Sequence, residues 1–197
     1  MSKQLRIAFV NQKGGVGKST LACLCASALK AAGVSVVIDD LDPQGSSAYF
    51  AKHIGGIPTL EEGPDSAVVI VDSPGHLDMS TPASRLKFSG IVGSCDRIVI
   101  VTELSMLGLR SAQATIKLVE EFKTNDAKAL VVFNKIRIGT MTGNQDTKAL
   151  ATQLGCPSTK ADLPLRSAYE IFTSLGWRAV TGPERDLVNK IAAEIIK

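Results

Sequence analysis

The chain has 197 residues, of which 45% are hydrophobic and 21% are charged, and its formal net charge is +3. This length and composition suit one α/β domain over residues 1–197, long enough to bury a substantial core. The positive excess lies after Phe122, which is compatible with a nucleic-acid-binding face and equally with an ordinary lysine-rich surface.

No apolar run approaches the roughly 18 residues that a membrane-spanning helix needs, and the segment MSKQLRIAFV contains no signal-peptide core. We therefore expect a cytoplasmic protein without stable membrane insertion. The two histidines lack metal-ligand spacing, and the cysteines show no C-x-x-C pair. The sequence predicts buried free thiols at Cys23, Cys25, Cys95 and Cys156.

Short apolar runs alternate with helical stretches along the chain. Strands are predicted near residues 5–11, 34–40, 67–72, 97–103 and 129–135, and helices near 18–32, 107–122, 144–154, 165–175 and from 183 onward. This alternation predicts a single doubly wound, mostly parallel α/β sheet with helices on both faces. Ligands of such sheets bind at the carboxyl ends of the strands, which is where the candidate site residues fall.

The segment KGGVGKST, residues 13–20, follows the first predicted strand and opens the first helix. Its glycines allow consecutive backbone N–H groups to turn toward an anion. An ordinary P-loop, G-x-x-x-x-G-K-[ST], would need glycine where this chain has Gln12. Lys18 and the Ser19 hydroxyl are expected to face the β- and γ-phosphates and a Mg²⁺ ion. The predicted phosphate-binding residues are Gly14, Gly15, Val16, Gly17, Lys18, Ser19 and Thr20.

Three charged residues around this loop suggest further roles. Lys13 lies on its outer rim, where a second ammonium group is costly unless another anion is near, so we expect it to serve phosphates held in a neighbouring subunit. Asp72 ends a buried strand, where it can orient a water molecule on Mg²⁺ together with Ser19. Asp40 ends another strand and is placed to support the same metal shell.

Three segments together resemble the ParA/MinD family of deviant Walker-motif ATPases: NQKGGVGKST at 11–20, DLDPQG at 40–45 and VIVDSPG at 69–75. The DLDPQG segment is similar to the corresponding segment in the ParA branch of the family. The resemblance to the family is strong over residues 5–75. The resemblance implies a Mg²⁺-dependent ATPase that forms a homodimer on ATP binding. It also implies nonspecific DNA binding at the nucleoid and partition of a plasmid, a chromosome or a protein cargo. A ParB-like or adaptor protein would stimulate its slow hydrolysis.

The resemblance also implies roles for single residues. Asp42 would position the attacking water, completing a catalytic set with Lys13 and Lys18. Asn134 would contact the adenine edge, although an asparagine that ends a strand is also a common turn former. With the first strand beginning by Leu5, we do not expect the N-terminal helix-turn-helix domain of larger members. The candidate DNA contacts are Lys160, Arg166, Arg178 and Arg185, which would bind phosphates and not bases.

Two other functions remain open at this stage. The apolar stripe of the last helix could anchor the chain on a membrane surface, as in the MinD branch, or pack against the sheet; the stripe carries no Trp or Phe, which favours packing. A metabolic or iron-sulfur ATPase of the same fold is the third alternative. The stripe consists of Leu187, Val188, Ile191, Ala192, Ile195 and Ile196.

Overall fold

Five strands form one fully parallel sheet in the computed structural model, which describes residues 4–197. The order across the sheet is β2-β3-β1-β4-β5, so β1 lies in the centre. The strands are β1 (Leu5–Val10), β2 (Val36–Asp40), β3 (Val68–Asp72), β4 (Arg97–Glu103) and β5 (Lys128–Asn134). The fold class predicted from the sequence is therefore confirmed, and every described strand pairing is parallel.

Helices between the strands and after β5 cover both faces of the sheet. They are α1 (Lys18–Ala31), α2 (Ser46–Phe50), α3 (Pro82–Gly93), α4 (Met106–Phe122), α5 (Thr147–Leu154), α6 (Ser167–Leu175) and α7 (Gly182–Ile195). A π-helical turn over Ala51–Gly55 continues α2, and a 3₁₀ turn over Gly176–Ala179 follows α6.

The core has two layers because alternate strand side chains point to opposite faces of the sheet. In β1, Ile7 and Phe9 pack with α1, α2, α6 and α7, whereas Ala8 and Val10 pack with α3, α4 and α5. All five residues of β3 are buried, as expected for a strand covered on both faces. This double covering leaves the carboxyl ends of the strands as the edge on which polar groups collect.

Two helices were not anticipated from the sequence. α2 is only five residues long, and α3 buries only Phe88, Ile91 and Val92, so neither shows a strong amphipathic period. A signal for α3 was nevertheless present. Thr81 accepts a hydrogen bond from the Ser84 backbone N–H and Pro82 occupies the first turn, which is a common way for a helix to begin.

The predictions for the cysteines and the last helix can be compared directly with the structure. All four cysteines are buried free thiols, as predicted. Val188, Ile191, Ala192 and Ile195 of α7 are buried in the core layer that contains α1, so the stripe is a packing surface. α7 makes its most extensive contacts with α1 and shares a core layer with side chains of the sheet.

Candidate functional site

The loop of residues 11–17 connects the end of β1 to the start of α1. Gly15 and Gly17 have left-handed backbone angles, with φ of 77° and 92°, and a Cβ atom at Gly17 would collide with the Asn134 amide. Glycine is therefore required at residue 17. α1 begins without a side-chain cap and without an acidic residue in its first turn. Its first N–H groups and the positive end of its dipole are available to an anion such as phosphate.

A buried lysine and a buried carboxylate lie next to this helix terminus. Lys18 is only 4% exposed, and its Nζ donates to the Lys13 carbonyl at 3.4 Å. Burial lowers the pKa of Lys18, although the negative charges of Asp72 and Asp42 partly oppose that shift. A cation held in such surroundings is suited to binding an anion that replaces its lost hydration.

Asp72 is fully buried, and neither of its carboxylate oxygens has a hydrogen-bond partner. Burial raises its pKa to about 6. The hydroxyls of Ser19 and Ser47 partly offset that rise, although neither meets Asp72 with hydrogen-bond geometry. The Ser47 hydroxyl is itself buried and unpartnered. Unpartnered buried oxygens are uncommon in folded proteins, and oxygen donors of this kind suit Mg²⁺.

Asp40 and Asp42 organise the loop between β2 and α2. Asp40, the register partner of Asp72, accepts from the Asp42 N–H at 3.0 Å and from the Ala48 N–H at 2.8 Å. Asp42 accepts from the Gln44 N–H at 3.0 Å and from the Gly75 N–H at 2.6 Å. The Asp42 carboxylate therefore ties the loop after β2 to the loop after β3.

Asn134 ends β5 and contacts the phosphate-loop backbone. Its Nδ2 donates to the Val16 carbonyl at 2.8 Å, and its Oδ1 accepts from the Lys135 N–H at 2.8 Å. These bonds use one of the two Nδ2 hydrogens, so the amide positions the loop and keeps one further donor. Ser19 and Thr20, in the first turn of α1, line a cavity of about 530 Å³ that α2 and α6 also border.

Sequence reasoning missed a polar network at the start of the loop. Asn11 is 2% exposed; its Nδ2 donates to the Val101 carbonyl at 2.7 Å, and its Oδ1 accepts from the Lys13 N–H at 2.9 Å. The Ser111 hydroxyl of α4 donates to the same Oδ1 at 2.6 Å. Asn11 stands in the NQKGG segment at the end of a buried strand, and that position was a signal that it has a structural role.

Two more residues that the sequence did not single out contact the loop. Lys135 is the one non-glycine residue with positive φ in the described chain, at 56°, and its Nζ donates to the Gly15 carbonyl at 2.6 Å. Glu103, the last residue of β4, lies 3.4 Å from the Lys13 Nζ and 3.5 Å from the Lys135 Nζ. A half-buried glutamate at a strand end carries no distinctive sequence pattern, which is why it escaped notice.

The four candidate DNA contacts have different surroundings. Lys160, Arg166 and Arg178 are exposed, and the Arg166 Nε lies 3.6 Å from a Glu184 carboxylate oxygen. Arg185 is half-buried: its Nε donates to the Val180 carbonyl at 2.7 Å, and its guanidinium lies over the Trp177 ring. Arg185 is thus engaged within the fold, and three of the four candidates keep their side chains at the surface.

Nothing in the described chain resembles a membrane-spanning segment, because every helix there is too short or too polar to cross a bilayer. The described residues also contain no group of three His, Cys, Asp or Glu side chains arranged to hold a metal ion by themselves. A Mg²⁺ ion at Asp72 would accordingly need ligands from water and from a bound phosphate, which is its usual mode of binding.

Comparison with known proteins also indicates a nucleotide-binding domain. A family model described as the CobQ/CobB/MinD/ParA nucleotide binding domain matches residues 7–170. The Maintenance of carboxysome distribution protein A of Halothiobacillus neapolitanus is 28% identical to this chain over 225 residues. The match covers 99% of this chain and 98% of that protein.

Solved structures with the same fold include two MinD proteins. The MinD cell division protein of Aquifex aeolicus has a TM-score of 0.73 at 18% identity, covering 96% of each chain. The septum site-determining protein MinD of Pyrococcus horikoshii, complexed with Mg-ADP, has a TM-score of 0.72 at 16% identity and covers 99% of this chain and 97% of that one. Since the family model spans most of the chain and includes its phosphate loop, the protein belongs to the CobQ/CobB/MinD/ParA family of nucleotide-binding domains.

Proposed function

We propose that this protein is an ATP-driven positioning ATPase of the ParA/MinD type. It binds ATP with Mg²⁺, pairs with a second copy of itself while ATP is bound, and in that form binds DNA without sequence preference. A partner protein then stimulates hydrolysis and releases the dimer. The observation that carries the proposal is the uncapped N-terminus of α1 beside the buried, unpartnered carboxylate of Asp72.

Different residues around the loop bind the phosphates, the Mg²⁺ ion and the adenine base. The glycine-rich backbone of residues 14–17, the N-terminus of α1 and Lys18 neutralise the phosphate oxygens. Ser19 and Asp72 supply oxygen ligands for Mg²⁺, and Asp40 supports them through the loop that it holds. Mg²⁺ would supply charge neutralisation for the transferred phosphoryl group. Asn134 offers its remaining Nδ2 hydrogen to the adenine base.

Lys13 and Asp42 complete the proposed catalytic set. Lys13 reaches the phosphates of the second copy, so that each site is finished only in the dimer. Asp42 orients the attacking water through its carboxylate. The same carboxylate also accepts a hydrogen bond from the Gly75 N–H. No arginine is placed at the loop by the described contacts, and an arginine supplied to such a site accelerates hydrolysis by about 10³ to 10⁵. Hydrolysis is therefore slow until a partner contributes.

The cargo is proposed from the relatives. A relative named for carboxysome distribution aligns over nearly the whole chain, which supports a large protein assembly as one cargo. The DLDPQG segment, which is similar to the ParA branch, supports a plasmid or chromosome as the other. In both cases the ATP-bound dimer uses nucleoid DNA as its matrix, so the DNA-binding step tests the common part of the proposal.

A DNA mobility shift with ATP, with ADP and without nucleotide tests the proposal, using the wild type and the Asp42→Ala variant. We expect the wild type to bind DNA only with ATP and Mg²⁺. Asp42→Ala should stay dimeric on DNA, because ATP is no longer hydrolysed, with turnover reduced by at least about 10². Asp65→Ala, which removes an exposed carboxylate away from the site, is the matched control.

Two results would contradict the proposal. Equal DNA affinity in all three nucleotide states would remove the nucleotide switch. Wild-type turnover by Asp42→Ala would remove Asp42 from the catalytic set.

A further inference from the structure

Glu103 joins two lysines that approach the phosphate loop from different parts of the chain. One carboxylate oxygen lies 3.4 Å from the Lys13 Nζ and the other lies 3.5 Å from the Lys135 Nζ. Lys135 also donates to the Gly15 carbonyl inside the loop at 2.6 Å. The single acid is therefore paired with the lysine of the loop rim and with a second lysine that is attached to the same loop.

Hydrogen bonds and strand pairing hold the backbone on either side of this contact, so a change of partner needs only side-chain movement. The Lys13 N–H is held by the Asn11 Oδ1, and Asn11 is anchored to the Val101 carbonyl. Glu103 is the last residue of β4 and stands opposite Asn134 in the parallel register. A Lys13 side chain that points to Glu103 of its own chain cannot at the same time reach a second subunit.

We infer that Glu103 is an intramolecular latch that holds Lys13 in the nucleotide-free protomer and thereby opposes premature dimerisation. This inference rests on the proposed function, in which Lys13 must reach the phosphates of a second copy. The bound triphosphate of that copy carries more negative charge than one carboxylate, so it competes successfully for the lysine. Glu103 is thus a positioning residue that acts through Lys13.

The second lysine makes the latch easily reversible. When Lys13 leaves, Glu103 keeps Lys135 as a partner, so no carboxylate is left without a counter-charge. Both ion pairs are partly exposed, and pairs of this kind shift an equilibrium by about two- to fivefold. A symmetric dimer releases two latches, so the effect on its dissociation constant is about four- to twenty-five-fold. The latch therefore sets the threshold for dimerisation and does not block it.

Chemical labelling of lysines in the nucleotide-free protein tests the contact independently of the proposed function. Acetylation of Lys13, followed by mass spectrometry, should be several-fold faster in Glu103→Gln than in the wild type. The exposed Lys117 of α4 serves as the internal reference. Glu121→Gln is the matched control variant, because it removes the surface ion pair with Arg85 and leaves the loop untouched. An unchanged Lys13 rate would overturn the latch and leave the proposed function standing.

Sedimentation velocity at saturating AMPPNP and Mg²⁺ then tests the consequence. We expect Glu103→Gln to dimerise with a dissociation constant about four- to twenty-five-fold lower than that of the wild type. Glu103→Asp, which keeps the charge, should stay within about twofold. Faster Lys13 labelling with an unchanged dimer dissociation constant would overturn the regulatory role.

Two further outcomes separate the alternatives. A Lys135→Met variant that reproduces the whole gain would overturn the assignment to Lys13 and place the effect in the loop backbone. No dimer in any variant, the wild type included, would overturn the proposed function and the regulatory role together, while the labelling result still reports on the contact itself.

Discussion

Asp72 lies in surroundings that oppose its own ionisation. Burial raises its pKa to about 6 in the folded chain, above the ordinary value of 3.8. Folding therefore favours the protonated form, a contribution that is present below about pH 4 and is lost as the pH rises through 6. In EDTA, Asp72→Asn should be more stable than the wild type at pH 7.5 by on the order of 2 kcal/mol. Urea unfolding between pH 4 and 8 measures this difference.

The exposed Asp65→Asn is the control for that measurement, because it removes a carboxylate that is not buried. The two variants should differ most at pH 7.5 and least at pH 4, where Asp72 of the wild type is protonated. Equal stability of Asp72→Asn and the wild type at pH 7.5 would show that the unpartnered carboxylate costs the fold nothing. A stabilised variant that fails to bind Mg²⁺ would link the cost of burial directly to ligand binding.

At the residue scale, local sequence predicted the groups that belong to the loop, and tertiary structure supplied the rest. The glycines, Lys18 and Ser19 stand together in one segment, so their common site could be predicted from spacing. The contact of Lys13 with Glu103 spans 90 residues, and that of Lys135 with Gly15 spans 120. Contacts at such separations depend on strand order, which no local pattern in a single sequence specifies.

At the scale of elements, α7 provides a direct test of a packing role against a membrane role. Ile191 is fully buried in the core layer with α1, so Ile191→Ala should lower the free energy of unfolding by about 2–4 kcal/mol. The adjacent Lys190 is exposed, and Lys190→Ala should change it by less than about 0.5 kcal/mol. Guanidinium unfolding gives both values. Equal, small effects would show that α7 is not part of the core, and liposome flotation would then become the decisive assay.

The five strands and the longer helices could be predicted because their sequences are strongly patterned. α1 and α4 fall where the periodicity places them, within a residue or two at each end. α5 begins after Asp146, whose side chain caps two N–H groups, slightly later than predicted from the apolar pattern. α2 is too short to show a period, and its first turn depends on an acceptor outside the helix, the Asp40 carboxylate. The strength of the apolar pattern therefore decided which elements the sequence revealed, since the twelve-residue α3, which buries only three residues, was also missed.

At the scale of the whole molecule, the proposed DNA surface belongs to a dimer. Each substitution therefore removes two side chains from that surface, one in each copy. Arg166→Ala in the ATP-bound dimer should weaken binding for all DNA sequences alike. It should also reduce the slope of log K against log salt by about 2, because about 0.9 is lost for each phosphate contact. Fluorescence anisotropy with labelled duplexes between 50 and 200 mM salt measures both effects.

Lys117→Ala provides the comparison, because Lys117 is an exposed lysine of α4 on the other face of the sheet. Its salt slope should equal that of the wild type. An identical loss of slope in both variants would indicate diffuse attraction by net charge, and a loss in neither would place the DNA contacts elsewhere.

The proposed dimer treats residues 1–197 of each copy as one domain. That assignment remains a prediction.

The hydrogen bond from the Gly75 N–H to the Asp42 carboxylate couples the loop after β3 to the loop after β2. Asp42 in turn donates its own N–H to Asp40, which holds the Ala48 N–H at the beginning of α2. A protein that displaces Gly75 from outside would consequently pull on α2, some 27 residues earlier in the chain, without touching it. A displacement of the loop after β3 can thus reach α2 through three hydrogen bonds that join four residues.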